Sequence, residues 1–142
     1  MMDVEQCIAK GLLRKDVPDK EKVKKSLAIS EKKLAKANKM QGLGLFEDAL
    51  VNCYVSMFHA GRALLFRDGI REKSHFGLWV YLNEKFQGII EKRFLNELNA
   101  LRLERHQISY GLDETDVGKE RSEDAIKTAM GFLVAVKKLV GA

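Results

Sequence analysis

The sequence predicts an all-α protein, a single antiparallel bundle of five or six helices, and three observations carry that reading. The 142 residues contain one proline, Pro18. No pair of apolar, β-branched runs is joined by an Asn-Gly or Asp-Gly hairpin signal. Long stretches instead repeat their apolar residues at steps of three and four, the spacing of one face of a helix. The length is that of one ordinary domain, residues 1–142, able to bury about two-thirds of its unfolded surface.

Residues from Met2 to Lys15 form a short first helix with Val4, Ile8 and Leu12 on its apolar side, and Asp16-Val-Pro-Asp19 ends it. A second helix, about Asp19 to Met40, shows Val23, Leu27, Ser30, Leu34 and Ala37 as a narrow apolar stripe, as an edge helix does. Gly42-Leu-Gly44 turns the chain into a third helix from Leu45 to about Asp68. This one is apolar over a wide arc, which makes it central, and Ala49, Ser56, Ala60, Gly61 and Ala63 let neighbours approach closely. Gly69 suits the left-handed position after its end. Ser74 is a good N-cap for the fourth helix, running through about Phe86. A fifth, about Ile90 to Ile108, leads into a Ser109-Tyr110-Gly111 bend, and a strongly amphipathic sixth from Lys119 to Val140 closes the bundle. The predicted core includes Tyr54, Met57, Phe58, Leu64, Trp79, Phe94, Leu98, Phe132, Leu133 and Val136.

No run approaches the roughly 20 apolar residues needed to span a bilayer, and Met1 to Lys15 lacks the order of a signal peptide, so a cytoplasmic location is expected. Cys7 and Cys53 lack CxxC spacing and read as buried, reduced thiols. His59, His75 and His106 lie far apart without HExxH spacing, so neither a metal nor another cofactor is expected. The formal charge of +5 is unevenly placed: residues 19–41 carry eight lysines against three acids, while residues 113–124 carry six acids against Lys119 and Arg121. No aromatic residue interleaves with those lysines to stack bases, so an edge helix with solvated lysines explains them without a nucleic acid.

The run CYVSMFHAGRALLFRDG, followed by KSHFGL, resembles the core of the HEPN-type small helical proteins, with Tyr54, Phe58, His59, Ala60, Gly69, Lys73, Ser74 and His75 carrying the match. The resemblance implies a HEPN-like helical bundle, a homodimer paired through the central helices, and often a minimal nucleotidyltransferase as partner in a toxin–antitoxin-like pair; the small and polar Ser56, His59 and Arg62 of the central helix suit the dimer contact. This chain has no Gly-Ser followed by paired aspartates and is not itself that transferase.

Many members of the family carry an arginine, four to six intervening residues and a histidine, a pair implied to cleave RNA. The arginine would bind a phosphate by two parallel hydrogen bonds, and the histidine would move protons near neutral pH. Here Arg105 fits the first position, yet four intervening residues lead to Tyr110 and six to Leu112, and His106 is its immediate neighbour. Arg105 to Tyr110 looks instead like an Arg-x-x-x-Asp-Tyr variant with Ser109 in place of the aspartate. The candidate site is therefore Arg105, Ser109 and Tyr110 with His59. Arg105, His106 and Tyr110 are the candidates for any residual catalysis. A tyrosine is a poor base at neutral pH, though the Tyr110 hydroxyl can bind a phosphate or accept a modification. An arginine and tyrosine at a helix end also serve capping and packing, and His59 and His75 also read as structural. The expected function is a non-enzymatic interaction module that binds a nucleotidyltransferase or a nucleotide. The alternative is a weak metal-independent ribonuclease using Arg105 with His106 or Tyr110.

Overall fold

The computed structural model describes residues 2–113 and 115–142; Met1 and Glu114, one of the acids of segment 113–124, lie outside them. The described residues form six helices: α1 (Val4–Ala9), α2 (Lys20–Gly42), α3 (Phe46–Asp68), α4 (His75–Lys85), α5 (Lys92–Tyr110) and α6 (Lys119–Val140). The all-α bundle follows the sequence reading, with α3 at its centre in contact with α2, α4, α5 and α6.

Small residues allow that central place. Ala49, Cys53, Ser56, Ala60 and Ala63 are fully buried. Gly61 is needed because a Cβ there would stand 2.9 Å from Leu82 Cδ1 on α4. Ser56 ties α3 to α2: its hydroxyl donates to the Ser30 carbonyl at 2.9 Å, and the Ser30 hydroxyl donates to the Ser56 carbonyl at 2.7 Å. Each buried hydroxyl thus has a partner, as burial requires. This corrects the expectation for Ser56 as a dimer contact, since the residue is spent on the intramolecular α2–α3 seam.

Of the predicted core, Tyr54, Met57, Leu64, Phe94, Leu98, Phe132, Leu133 and Val136 are buried, while Phe58 and Trp79 pack against the core from its rim. Trp79 Nε1 donates to the Leu95 carbonyl at 3.0 Å, joining α4 to α5. Cys7 and Cys53 are free and buried, and burial raises the Cys53 thiol pKa to about 12.

Two local expectations are corrected. The first helix stops at Ala9, and the chain continues through Gly11 into a strand, β1 (Leu13–Lys15), paired antiparallel with β2 (Ile70–Glu72). Three-residue strands brought together across α2 and α3 have neither alternation nor a hairpin turn to announce them. The fifth helix also runs two residues further than read, so Ser109 and Tyr110 are helical and Arg105 sits more than a turn before the end. A guanidinium that far back gains little from the C-terminal carbonyls.

Candidate functional site

The fold brings one side of α3, the start of α4 and one side of α5 together around Tyr54. On α3, two successive steps of four place Tyr54, Phe58 and Arg62 in line. Ser74 caps α4 by accepting from the Gly77 amide at 2.8 Å, and this fixes where the next residue, His75, enters. The His75 ring stacks on Phe58 with centroids 4.3 Å apart, and its Nδ1 lies 2.5 Å from the Tyr54 hydroxyl.

Two arginines of α5 face this pair. The Arg105 guanidinium stands 5.4 Å over the Tyr54 ring, and that of Arg102 stands 5.5 Å over Phe76. Arg102 is steered by Asn99, whose Oδ1 accepts from its Nε at 3.2 Å and from its Nη2 at 3.0 Å. Among the described residues neither guanidinium has a carboxylate within ion-pair distance. Arg62 is different. It forms a close ion pair with the mostly buried Glu72 on β2, although its Nε–H is not aligned on that carboxylate for a hydrogen bond.

The electrostatics fix the protons. Burial pushes the Tyr54 pKa up to about 12 against the pull of Arg105 and Arg102, so the phenol keeps its proton. Partial burial, with the charges of Arg105, Arg102 and Arg62, holds His75 below the usual histidine value, so its ring is neutral at pH 7 although the residue is exposed. The buried Tyr54 hydroxyl has His75 Nδ1 as its acceptor among the described residues. Satisfying that hydroxyl makes Nδ1 the acceptor and places the ring proton on Nε2. His59 lies one turn before Arg62. Burial first, then Arg62, Lys33 and His75, lowers its pKa to about 4, and its buried Nδ1 has no hydrogen-bond partner among the described residues.

The structure thus separates the residues that the sequence grouped. Arg105 turns inward onto Tyr54. His106 is exposed and lies against Tyr110, ring centroids 5.1 Å apart, and Tyr110 is itself 67 % exposed. Ser109 is exposed. His59 is half-buried on α3, at the far side of Phe58 from Tyr54 in sequence. Reading along the chain had assigned Tyr54 to the core and His75 to a helix start, and both are correct as far as they go. Their pairing was missed because 21 residues and a strand separate them. The faint signal was the Tyr-x-x-x-Phe-His and Lys-Ser-His runs, in which polar rings recur inside apolar surroundings.

Among the described residues no helix is long and apolar enough to cross a membrane, and no three His, Cys, Asp or Glu side chains gather closely enough to hold a metal ion.

Comparison with known proteins adds the family. A protein of Methanocaldococcus jannaschii named as a candidate toxin is 29% identical over 135 residues, which cover 91% of this chain and 95% of that relative. The UPF0332 protein of Pyrococcus horikoshii is 35% identical over 89 residues, covering 61% of each chain. The family described as the HEPN domain matches residues 23–139, from α2 to the end of α6 and across every residue of the Tyr54 cluster. With that match over most of its length, the chain belongs to the HEPN domain family.

Proposed function

We propose that this chain is a non-enzymatic HEPN-type interaction module whose Arg105 face binds a nucleotide, in a toxin–antitoxin-like pairing with a minimal nucleotidyltransferase. The observation that carries this reading is the setting of Arg105. Its histidine neighbour in space is His75, whose Nδ1 is occupied by Tyr54 and whose Nε2 bears the proton, so no basic lone pair stands ready beside the arginine. His106 faces Tyr110 on another side of α5. A guanidinium without a general base is equipped to hold a phosphate rather than to break one. The name of the M. jannaschii relative as a candidate toxin supports the pairing.

The module works as a homodimer through the rim of α3 around Phe58, His59 and Arg62. These three are partly exposed and lie next to the site. Light scattering at increasing concentration is expected to give twice the chain mass, and a monomer throughout would remove the dimer.

The functional reading is tested by incubating the protein with unstructured RNA and a chelator, beside Arg105→Ala. No Arg105-dependent cleavage is expected. Cleavage that vanishes in Arg105→Ala would overturn the binding reading in favour of a metal-independent ribonuclease. Nucleotide binding by fluorescence anisotropy is expected for the parent protein and weakened in Arg105→Ala.

A further inference from the structure

We propose that Arg102, Arg105 and the Nε2–H of His75 together form a receptor for a tetrahedral phosphate group, with Tyr54 as the positioning residue that aims the imidazole. This deepens the nucleotide-binding reading and rests on it.

Three independent features converge. First, Arg102 and Arg105, three residues apart on α5, are both half-buried and both act on His75 by their charge, yet no described carboxylate lies within ion-pair distance of either, while Arg62 has Glu72 and Arg121 of α6 has two glutamates. Cations held in aromatic surroundings without a counter-ion leave room for an external anion, and a guanidinium matches two phosphate oxygens at once. Second, His75 is locked as a donor. Its Nδ1 accepts from the Tyr54 hydroxyl at 2.5 Å, its ring stacks on Phe58, and the residue is exposed, so Nε2–H is the group left for a ligand. Third, His75 and Phe76 are the first two residues of the eleven-residue helix α4, and first-turn amides have no acceptor within their own helix. The positive end of α4 therefore lies beside the two arginines, with its Gly77 amide already given to the Ser74 hydroxyl. Three donors of positive or neutral character, with no acceptor among them, fit a doubly ionised phosphate and disfavour a neutral or cationic ligand.

The phosphate could be inorganic or the 5′-phosphate of a nucleotide, and the test separates these sources. Isothermal titration of the full chain uses adenosine 5′-monophosphate, inorganic phosphate and adenosine. The variants are Arg102→Ala, Arg105→Ala, His75→Phe and His75→Gln, each checked by its melting curve. Adenosine monophosphate is expected to bind, with affinity falling roughly tenfold in each of Arg102→Ala, Arg105→Ala and His75→Phe. His75→Gln is expected to keep most of the binding, because its amide oxygen can accept from Tyr54 while its NH2 donates outward; a merely structural histidine would not be rescued in this way. Phosphate binding as tightly as the monophosphate would support the receptor with inorganic phosphate as the ligand. Tighter binding of the monophosphate would support it with a nucleotide.

If Arg105→Ala alone weakens binding while Arg102→Ala and both His75 variants match the parent, the receptor is wrong and the nucleotide-binding reading stands. If the parent binds no monophosphate at millimolar concentration, both fall. Adenosine binding as well as its monophosphate would also overturn the receptor.

Discussion

Helix α5 carries two charged sides that received opposite treatment. Glu97 and Glu104, two turns apart, both hold Arg121 of α6: Glu97 accepts from Nη1 and Nη2 at 2.9 and 2.8 Å, and Glu104 accepts from Nη2 and Nε at 2.6 and 3.3 Å. That network raises the Arg121 pKa further above its ordinary value, the Glu97 bonds being the largest cause. About a third of a turn around the same helix, Arg102 and Arg105 face aromatic rings, with no carboxylate in ion-pair range among the described residues. The cation that joins two helices has carboxylate partners on the chain, and the pair proposed to hold a phosphate has none among the described residues. The same helix can hold both arrangements because residues seven apart, such as Glu97 and Glu104, share one face, while Arg102 and Arg105, three apart, share another.

This contrast can be broken by substitution, and the structural side should give the largest effect. Arg121→Ala strands two partly buried carboxylates that had faced a shared guanidinium. Allowing for the solvent that reaches the site, a loss of about 2 kcal/mol is expected, seen as a clear fall in melting temperature with ligand affinity per folded molecule unchanged. A variant that melts like the parent would show that the glutamate side is no more structural than the arginine side.

An intermediate effect is expected from the polar rings. Removing the Tyr54 hydroxyl in Tyr54→Phe costs on the order of 1 kcal/mol, and it also frees His75 to turn, so phosphate affinity should fall together with stability. Loss of stability with full affinity would separate His75 from the site.

Acid should destabilise the fold through its histidines. The folded-state pKa values of His59, about 4, and of His75 lie below the unfolded value near 6.5. Between those limits the unfolded chain binds more protons, so the stabilisation present above pH 6.5 is lost as pH falls toward 4. The urea midpoint is expected to drop from pH 7 to pH 5, by on the order of 1 kcal/mol in stability for His59, and His59→Asn should reduce that slope. An unchanged slope would show that His59 is not held neutral. Phosphate ions should be kept out of both buffers, since a bound anion would stabilise the fold independently.

The smallest stability effect belongs to the arginines. Arg105→Ala removes a cation stacked on a ring, a contribution of roughly 0.5–1 kcal/mol, and relieves its repulsion with Arg102. Thermal melting should barely change while ligand affinity falls. A variant that melts much lower yet binds normally would make Arg105 a structural residue and erase the contrast along α5.

The amino-acid sequence by itself determined the all-α class, nearly all helix ends, the central place of α3 and most of the core. These rest on local periodicity, on Ser74 as a cap and on Gly69 as a left-handed stop, which act within a few residues of chain. It also singled out Arg105 from the family resemblance. Only the tertiary structure decided what surrounds that arginine. His106, its sequence neighbour, points elsewhere because adjacent residues on a helix diverge by about 100°. Tyr54 and His75 come to it from two other helices, and β1 meets β2 across more than fifty residues. Such contacts depend on how whole helices dock, which is set by Gly61 against Leu82 and by the Ser30–Ser56 seam, and no window along the chain contains both partners. The division of α5 into a satisfied acidic side and an unsatisfied basic side likewise emerges only when α6 brings Arg121 to one and α3 and α4 bring rings to the other.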